Sequence, residues 1–403
     1  MQKLMFYRNA ATERDVCNFL FFMNFFCKTD RMRQQNTRGN EMRGIIRQKQ
    51  AVDFCKWSGS HITFKALFSP GELSVSGEGQ HRVYRASDIR KARLALMDVH
   101  VEPRRANTLP PIIYVRMAKG GVGKTTVAGN VSACLAMQGY KVLMIDTDPQ
   151  ASLTSLFGID WATEEILHIG KLLQAHYESK TPLDDETLEK AIRPIYPGGM
   201  LDLIASDITL TNLDSWLISA VRQREKLVQR FFDAHVNLLS RYDVIVIDGA
   251  PSTSQLSFSL MYAARNLLAV VGLDGQSVKA MEVMASNIQE MSEEFPEVDF
   301  DFRIIANNFV SNIATCTDSL EALRKAYPDK VDPNIIPRAA SFMRQVSLEN
   351  DDMSAPVIEK EPSSVAARAM VDLSQSLIGA YGIQLAGLLP LVLPRPRGPK
   401  KKV

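Results

Sequence analysis

Between Ile112 and about Tyr381, short runs of β-branched and aliphatic residues alternate with longer segments of helical periodicity. The strand-like runs are Ile112 to Met117, Lys141 to Asp146, Leu201 to Ala205, Val244 to Asp248, Leu267 to Val271 and Arg303 to Asn307. Runs such as Val244-Ile245-Val246-Ile247 lack polar alternation, which fits strands covered on both faces. Strands taking turns with helices predict an α/β fold with a doubly wound, mostly parallel sheet. Ligands of such sheets sit at the carboxyl ends of the strands, where the polar motifs of this chain fall. A terminal helix is expected over residues 361 to 382.

The flanks read differently. Residues 1–60 combine a phenylalanine-rich run with a basic polar stretch and are expected to be an extension. Residues 61–102 hold a glycine turn, the strand-like Arg82-Val83-Tyr84, and Ser87 placed to cap a basic helix through Arg90 and Arg93. A proline-containing linker, 103–111, reads as a domain boundary before the main domain at 112–385. The tail, 386–403, is basic and broken by Pro390, Pro394, Pro396 and Pro399.

Composition changes this picture little. Hydrophobic residues at 46% and charged residues at 23% describe an ordinary globular protein, and a net charge of +2 leaves any nucleic-acid contact to a local patch. The five cysteines form no C-x-x-C pair, which fits a reducing cytoplasm and gives no metal site. The early apolar run from Phe19 to Cys27 is far short of the ~20 residues a membrane span needs.

The chemistry concentrates in Ala118-Lys119-Gly120-Gly121-Val122-Gly123-Lys124-Thr125-Thr126, set between a strand and a helix. Glycines there let successive backbone N–H groups, with the new helix's positive end, converge on a phosphate. Lys124 is placed for the β/γ-phosphates and the Thr125 hydroxyl for Mg²⁺. Ala118 stands where the strict G-x-x-x-x-G-K-[ST] pattern has glycine, so the fit is to K-G-G-x-G-K-[ST]. Two further strands end in acid: Asp146-Thr147-Asp148-Pro149-Gln150 and Asp248-Gly249-Ala250-Pro251.

On these three motifs the chain resembles the ParA/MinD family of P-loop ATPases, over roughly residues 108 to 382. The resemblance implies ATP and Mg²⁺ as cofactors, with Thr125, Asp146 and Asp248 around the metal and Asp148 orienting or deprotonating the attacking water. It implies that Lys119 reaches the nucleotide of a neighbouring copy in a face-to-face homodimer, and that Asn307 and Asn308 meet the adenine. Gly249-Ala250 replaces the family's more usual T-P or T-A. The segment 79–93 resembles the wing and following helix of MerR-like winged helix-turn-helix modules, found at the N-terminus of longer, plasmid-type ParA proteins.

The function so implied is DNA partition: an ATP-bound dimer holds DNA non-specifically and is released by hydrolysis that a ParB-like partner stimulates. Candidate DNA contacts are Arg82, Arg85, Arg90, Arg338 and Arg344, and the expected location is the cytoplasm, on the nucleoid. Plainer readings stay open beside these: Lys119 as a solvated lysine, Asp148 as a helix cap, the Arg90 helix as packing only on the ATPase core. A MinD-like membrane-cycling ATPase shares the site, but the prolines of the tail interrupt the amphipathic helix it needs, so no stable membrane association is expected. A transcription factor using ATP only as a ligand is the other alternative.

Overall fold

A computed structural model describes residues 43–56, 82–96, 108–179, 184–346 and 354–385. Most of the expected N-terminal extension, both ends of the 61–102 module, most of the linker and the whole tail lie outside the described residues. Two short strands, β1 (Ile45–Arg47) and β2 (Val83–Arg85), pair antiparallel and lead into helices α1 (Gln48–Phe54) and α2 (Ala86–Leu96). This pairing joins residues expected in two separate segments, so the boundary near residue 60 does not hold for the described part. Helix α2 starts two residues earlier than a Ser87 cap requires, and Asp88 instead accepts the Arg85 amide at 2.8 Å.

Seven strands build the central sheet: β3 (Ile112–Arg116), β4 (Val142–Asp146), β5 (Ile192–Tyr196), β6 (Leu201–Ile204), β7 (Val244–Asp248), β8 (Arg265–Gly272) and β9 (Asp301–Asn307). Their order is β5-β6-β4-β7-β3-β8-β9. All neighbours are parallel except β5 and β6. The strands of the apolar runs, β3, β4 and β7, are buried at every position. Strand β5 is absent from the sequence expectation because Pro194 argues against a ladder partner; it is tolerated here because β5 lies at the sheet edge. At the other edge, Ile304 and Phe309 bridge to Val331 and Pro337, so returning chain covers β9.

Order in the sheet places β7 between β3 and β4 and aligns Asp146 with Asp248. The helix α3 (Lys124–Met137) follows β3 and is buried over most of its length, as a helix wedged between sheet and further helices must be. Its far side meets the terminal helix, Val365–Ala380, whose start is capped by Ser364. That helix is shorter than the expected 361 to 382, because the capping serine sets its first turn.

Helix α2 docks at the opposite end of the sheet from the glycine loop. The Arg90 guanidinium pairs with the Asp243 carboxylate and donates to the Gly139 carbonyl at 2.9 Å. Arg93 donates to the Gln138 carbonyl and stacks on Tyr140. The Asp243 side chain is buried and also accepts the Lys141 amide at 2.8 Å, so removing its cation strands a charge in the core. Arg90→Ala is expected to cost about 3 kcal/mol, read as a lower urea midpoint; an unmoved midpoint would mean that α2 is not held this way.

A buried histidine sets a second stability term. His168 caps the helix Ile169–Glu178, its Nδ1 accepting the Gly170 amide at 3.0 Å and the Lys171 amide at 3.3 Å. Burial holds its pKa down to about 4, against 6.5 for a free imidazole. The folded state therefore resists the proton that the unfolded chain takes up, and the stabilisation is whole above pH 6.5 and lost as pH falls towards 4. Thermal unfolding between those pH values should fall more steeply for the parent than for His168→Asn, which keeps a cap acceptor without the titration; the difference is about 3 kcal/mol.

Candidate functional site

Strand β3 ends at Arg116 and the chain turns through the glycine loop into α3. Gly121 has φ +73 and Gly123 φ +93, backbone that side-chain-bearing residues rarely adopt. A Cβ on Gly123 would lie 2.3 Å from Asn307 Nδ2, while one on Gly120 or Gly121 would meet nothing within 4 Å. The loop is thus braced on one side by Asn307 and open on the other. The open side faces a cavity of about 380 Å³ lined by Gly120, Gly121, Gly123, Lys124, Thr125, Thr126, Asp148 and Phe342 among others.

Asn307 is buried at the end of β9 and donates its Nδ2 to the Val122 carbonyl at 2.7 Å. That bond commits one donor of its amide to the loop. Asn308, at φ +59, lines a neighbouring cavity of about 590 Å³ with Gly272, Arg338, Phe342 and Met343. Phe342 forms the wall between the two cavities, a role its sequence context did not signal.

Lys124 is buried and folds back to donate to the Lys119 carbonyl at 3.3 Å. Burial lowers its pKa, opposed by the Asp248 and Asp148 carboxylates. Lys119 points elsewhere: its ammonium lies 2.7 Å from Asp274 and 3.1 Å from the Ser277 hydroxyl. This pair pulls the Asp274 pKa down against its partial desolvation.

The two acids of the strand ends behave differently. Both oxygens of Asp248 are buried and accept no hydrogen bond of ordinary geometry, with the Thr125 hydroxyl beside them. Burial, then the neighbouring Asp146, drives the Asp248 pKa well above the usual carboxylate range. An orphaned carboxylate next to the hydroxyl of Thr125, itself a lining residue of the cavity, has the oxygen donors that suit a hard divalent cation. Among the described residues no group of three or more His, Cys, Asp or Glu forms a metal cage, so such a cation would complete its shell with water and substrate oxygens.

Asp146, expected near the metal, is met by donors of the protein itself. Its Oδ2 accepts the Thr154 amide at 2.9 Å and the Thr154 hydroxyl at 2.8 Å, and its Oδ1 accepts the Asp148 amide at 3.1 Å. Protein donors satisfy it. Asp148 itself is partly exposed to the cavity, and its Oδ1 accepts the Gln150 amide at 2.9 Å.

Gly249 accounts for the unusual residues after Asp248. A Cβ there would lie 2.7 Å from the Tyr114 ring and 2.8 Å from the Val115 carbonyl, so the bulk of Tyr114 on β3 requires glycine opposite.

The candidate DNA residues do not form one surface. Arg82, Arg85 and Arg90 sit with β2 and α2 at the far end of the sheet, and Arg90 is taken by Asp243. That engagement corrects its assignment as a DNA contact. Arg338 is exposed near Asn308, and Arg344, also exposed, pairs with Glu361 at 2.8 Å.

A glycine loop between strand and helix, an acid at the end of the neighbouring parallel strand and a cavity over both define a P-loop nucleotide-binding protein. The comparisons agree with that class. A family model described as an AAA domain matches residues 111–300. The cell division protein PomZ of Myxococcus xanthus is 30% identical over 257 residues, spanning 63% of this chain and 74% of that protein. The sporulation initiation inhibitor Soj of Bacillus subtilis is 26% identical over 266 residues, spanning 66% and 97%. In fold, the chain is similar to an ATP complex of a Cyanothece McdA variant, at TM-score 0.56, 19% identity and coverage of 69% and 98%. It is also similar to a cobyrinic acid a,c-diamide synthase of Mycobacterium smegmatis, at TM-score 0.53, 20% identity and coverage of 68% and 96%. The chain belongs to the ParA/MinD family of P-loop ATPases.

The bracing of the loop gives a direct test. Asn307→Ala removes a buried partner of the Val122 carbonyl and is expected to cost about 1 to 3 kcal/mol in thermal unfolding. Gly123→Ala is expected to cost at least as much, since it meets both a positive φ and Asn307; a parent-like melting temperature in both would show that the loop is not held here.

Proposed function

We propose that this protein is a partition or positioning ATPase whose ATP-bound homodimer holds DNA non-specifically and lets go on hydrolysis. The observation that carries the reading is the buried Asp248 carboxylate, whose oxygens accept no hydrogen bond of ordinary geometry and lie beside Thr125 and Lys124, two residues of the glycine-loop cavity. They fit Mg²⁺ on a nucleotide, with backbone amides from Gly120 to Thr126 cradling phosphates and Lys124 adding charge at the β/γ end. Bound Mg²⁺ supplies charge neutralisation for phosphoryl transfer. Thr125 and Asp248 would hold it, and Asp148 would orient the water and take its proton. Asn308 and Phe342 offer an amide edge and an aromatic face to the base.

Lys119 is the link between nucleotide and assembly. In the single chain it is occupied by Asp274 and Ser277, and crossing to a neighbouring copy requires that it leave them. Arg338 and Arg344 are the exposed cations we assign to phosphate contacts on DNA, which need charge but read no sequence. A ParB-like partner that accelerates hydrolysis completes the cycle. No helix among the described residues is long and apolar enough to cross a membrane.

Retention on non-specific DNA, measured with ATP, ADP and no nucleotide across a salt series, tests the cycle. Strong, salt-sensitive retention only with ATP is expected. Equal retention in all three states sinks the reading. Lys119→Ala should bind ATP yet run as a monomer on size exclusion, and Asp148→Ala should dimerise with ATP yet release no phosphate.

A further inference from the structure

A buried hydroxyl holds the segment that carries Asp148, and no phosphate-site motif includes it. Thr154 lies in the short helix Ser152–Leu156, is fully buried, and uses its hydroxyl twice. It donates to Asp146 Oδ2 at 2.8 Å and accepts the Ser206 amide, at the exit of β6, at 2.9 Å. The Thr154 amide adds a second bond to the same Asp146 oxygen. Asp146 is thus closed on both ends of the loop it begins: on Asp148 through one oxygen and on Thr154 through the other.

Other contacts leave that loop little freedom. Thr147 donates its amide and its hydroxyl to the Asp248 carbonyl, at 3.0 and 2.6 Å, tying the loop to the strand that bears the free carboxylate. Ala151 sits at φ +51, which a non-glycine residue holds only when its surroundings impose it. Beyond it, Leu153 and Leu156 enter a notch on α3 at Gly129, where a Cβ would stand 3.1 and 2.5 Å from their side chains.

We propose that Thr154 is a positioning residue for hydrolysis: its hydroxyl, working through Asp146, fixes where Asp148 meets the attacking water. Asp146 is the acceptor through which the clamp acts. Only a hydroxyl of this size can donate to Asp146 and accept from Ser206 in the same volume. Positioning errors of about 1 Å in a catalytic group cost as much as ~100-fold in rate, so loosening the clamp acts on turnover and leaves the phosphate cradle alone. The proposal rests on the reading that Asp148 handles water.

The test compares full-length parent, Thr154→Val, Thr154→Ser, Asp146→Asn and the double variant Asp146→Asn/Thr154→Val. Each is assayed for kcat, KM, Mg²⁺ half-saturation and binding of a fluorescent ATP analogue. Thr154→Val should lower kcat about 10- to 100-fold with analogue affinity within about twofold of parent. Thr154→Ser should restore most of the rate, and the double variant should be no slower than the slower single one. Asp146→Asn should leave Mg²⁺ half-saturation in place. A folded Thr154→Val with parent kcat, or a large shift of Mg²⁺ half-saturation in Asp146→Asn, overturns the proposal. If Thr154→Val does not fold, Thr154→Cys, a weak donor in the same place, carries the same comparison. Failure of the underlying reading looks different: parent and Asp148→Ala would then hydrolyse ATP alike.

Discussion

Two carboxylates stand side by side at the ends of β4 and β7, both fully buried, and the rest of the site follows from how each is satisfied. Taking two like charges out of water together is costly, and the cost must be met by donors or by a cation. Asp146 is met from within the chain, by the amides of Asp148 and Thr154 and by the Thr154 hydroxyl. Asp248 is left with the Thr125 hydroxyl and the Lys124 cation nearby and no hydrogen bond of ordinary geometry to its oxygens. One acid therefore organises the protein and the other awaits its charge partner. A sheet that put these strands anywhere but next to each other would move the Asp148 loop away from the glycine loop after β3.

The strands that build this arrangement were legible because burial on both faces leaves an unbroken apolar run, as in Val244-Ile245-Val246-Ile247. Glycines in the loop were legible because a phosphate cradle and a positive φ at Gly121 and Gly123 ask for the same residue. The division of labour between the two acids was not. Each ends a strand, and only the fold brings Thr154, eight residues beyond Asp146, back to that carboxylate. The same holds for Asn307, whose bond to the Val122 carbonyl has no mark in the sequence. Phe342 gave no signal either, since its place between two cavities depends on the return of the chain after β9.

The arginines of α2 show how charge pattern alone misleads. A basic helix after a strand reads as a face for nucleic acid, and its arginines look free. Here Arg90 and Arg93 reach carbonyls at the end of α3 and a carboxylate before β7, so the helix is part of the ATPase body. The partner, Asp243, lies about 150 positions away and has no local mark in the sequence.

The sheet also restricts how copies of this chain can meet. One border is β5, run backwards and interrupted by Pro194, which has no amide hydrogen to offer a visiting strand. The opposite border, β9, is already engaged through Val331 and Pro337. Continuous β-sheets across molecules are therefore disfavoured on both flanks. Filament growth by strand addition to this sheet is thus not the default outcome when local concentration rises.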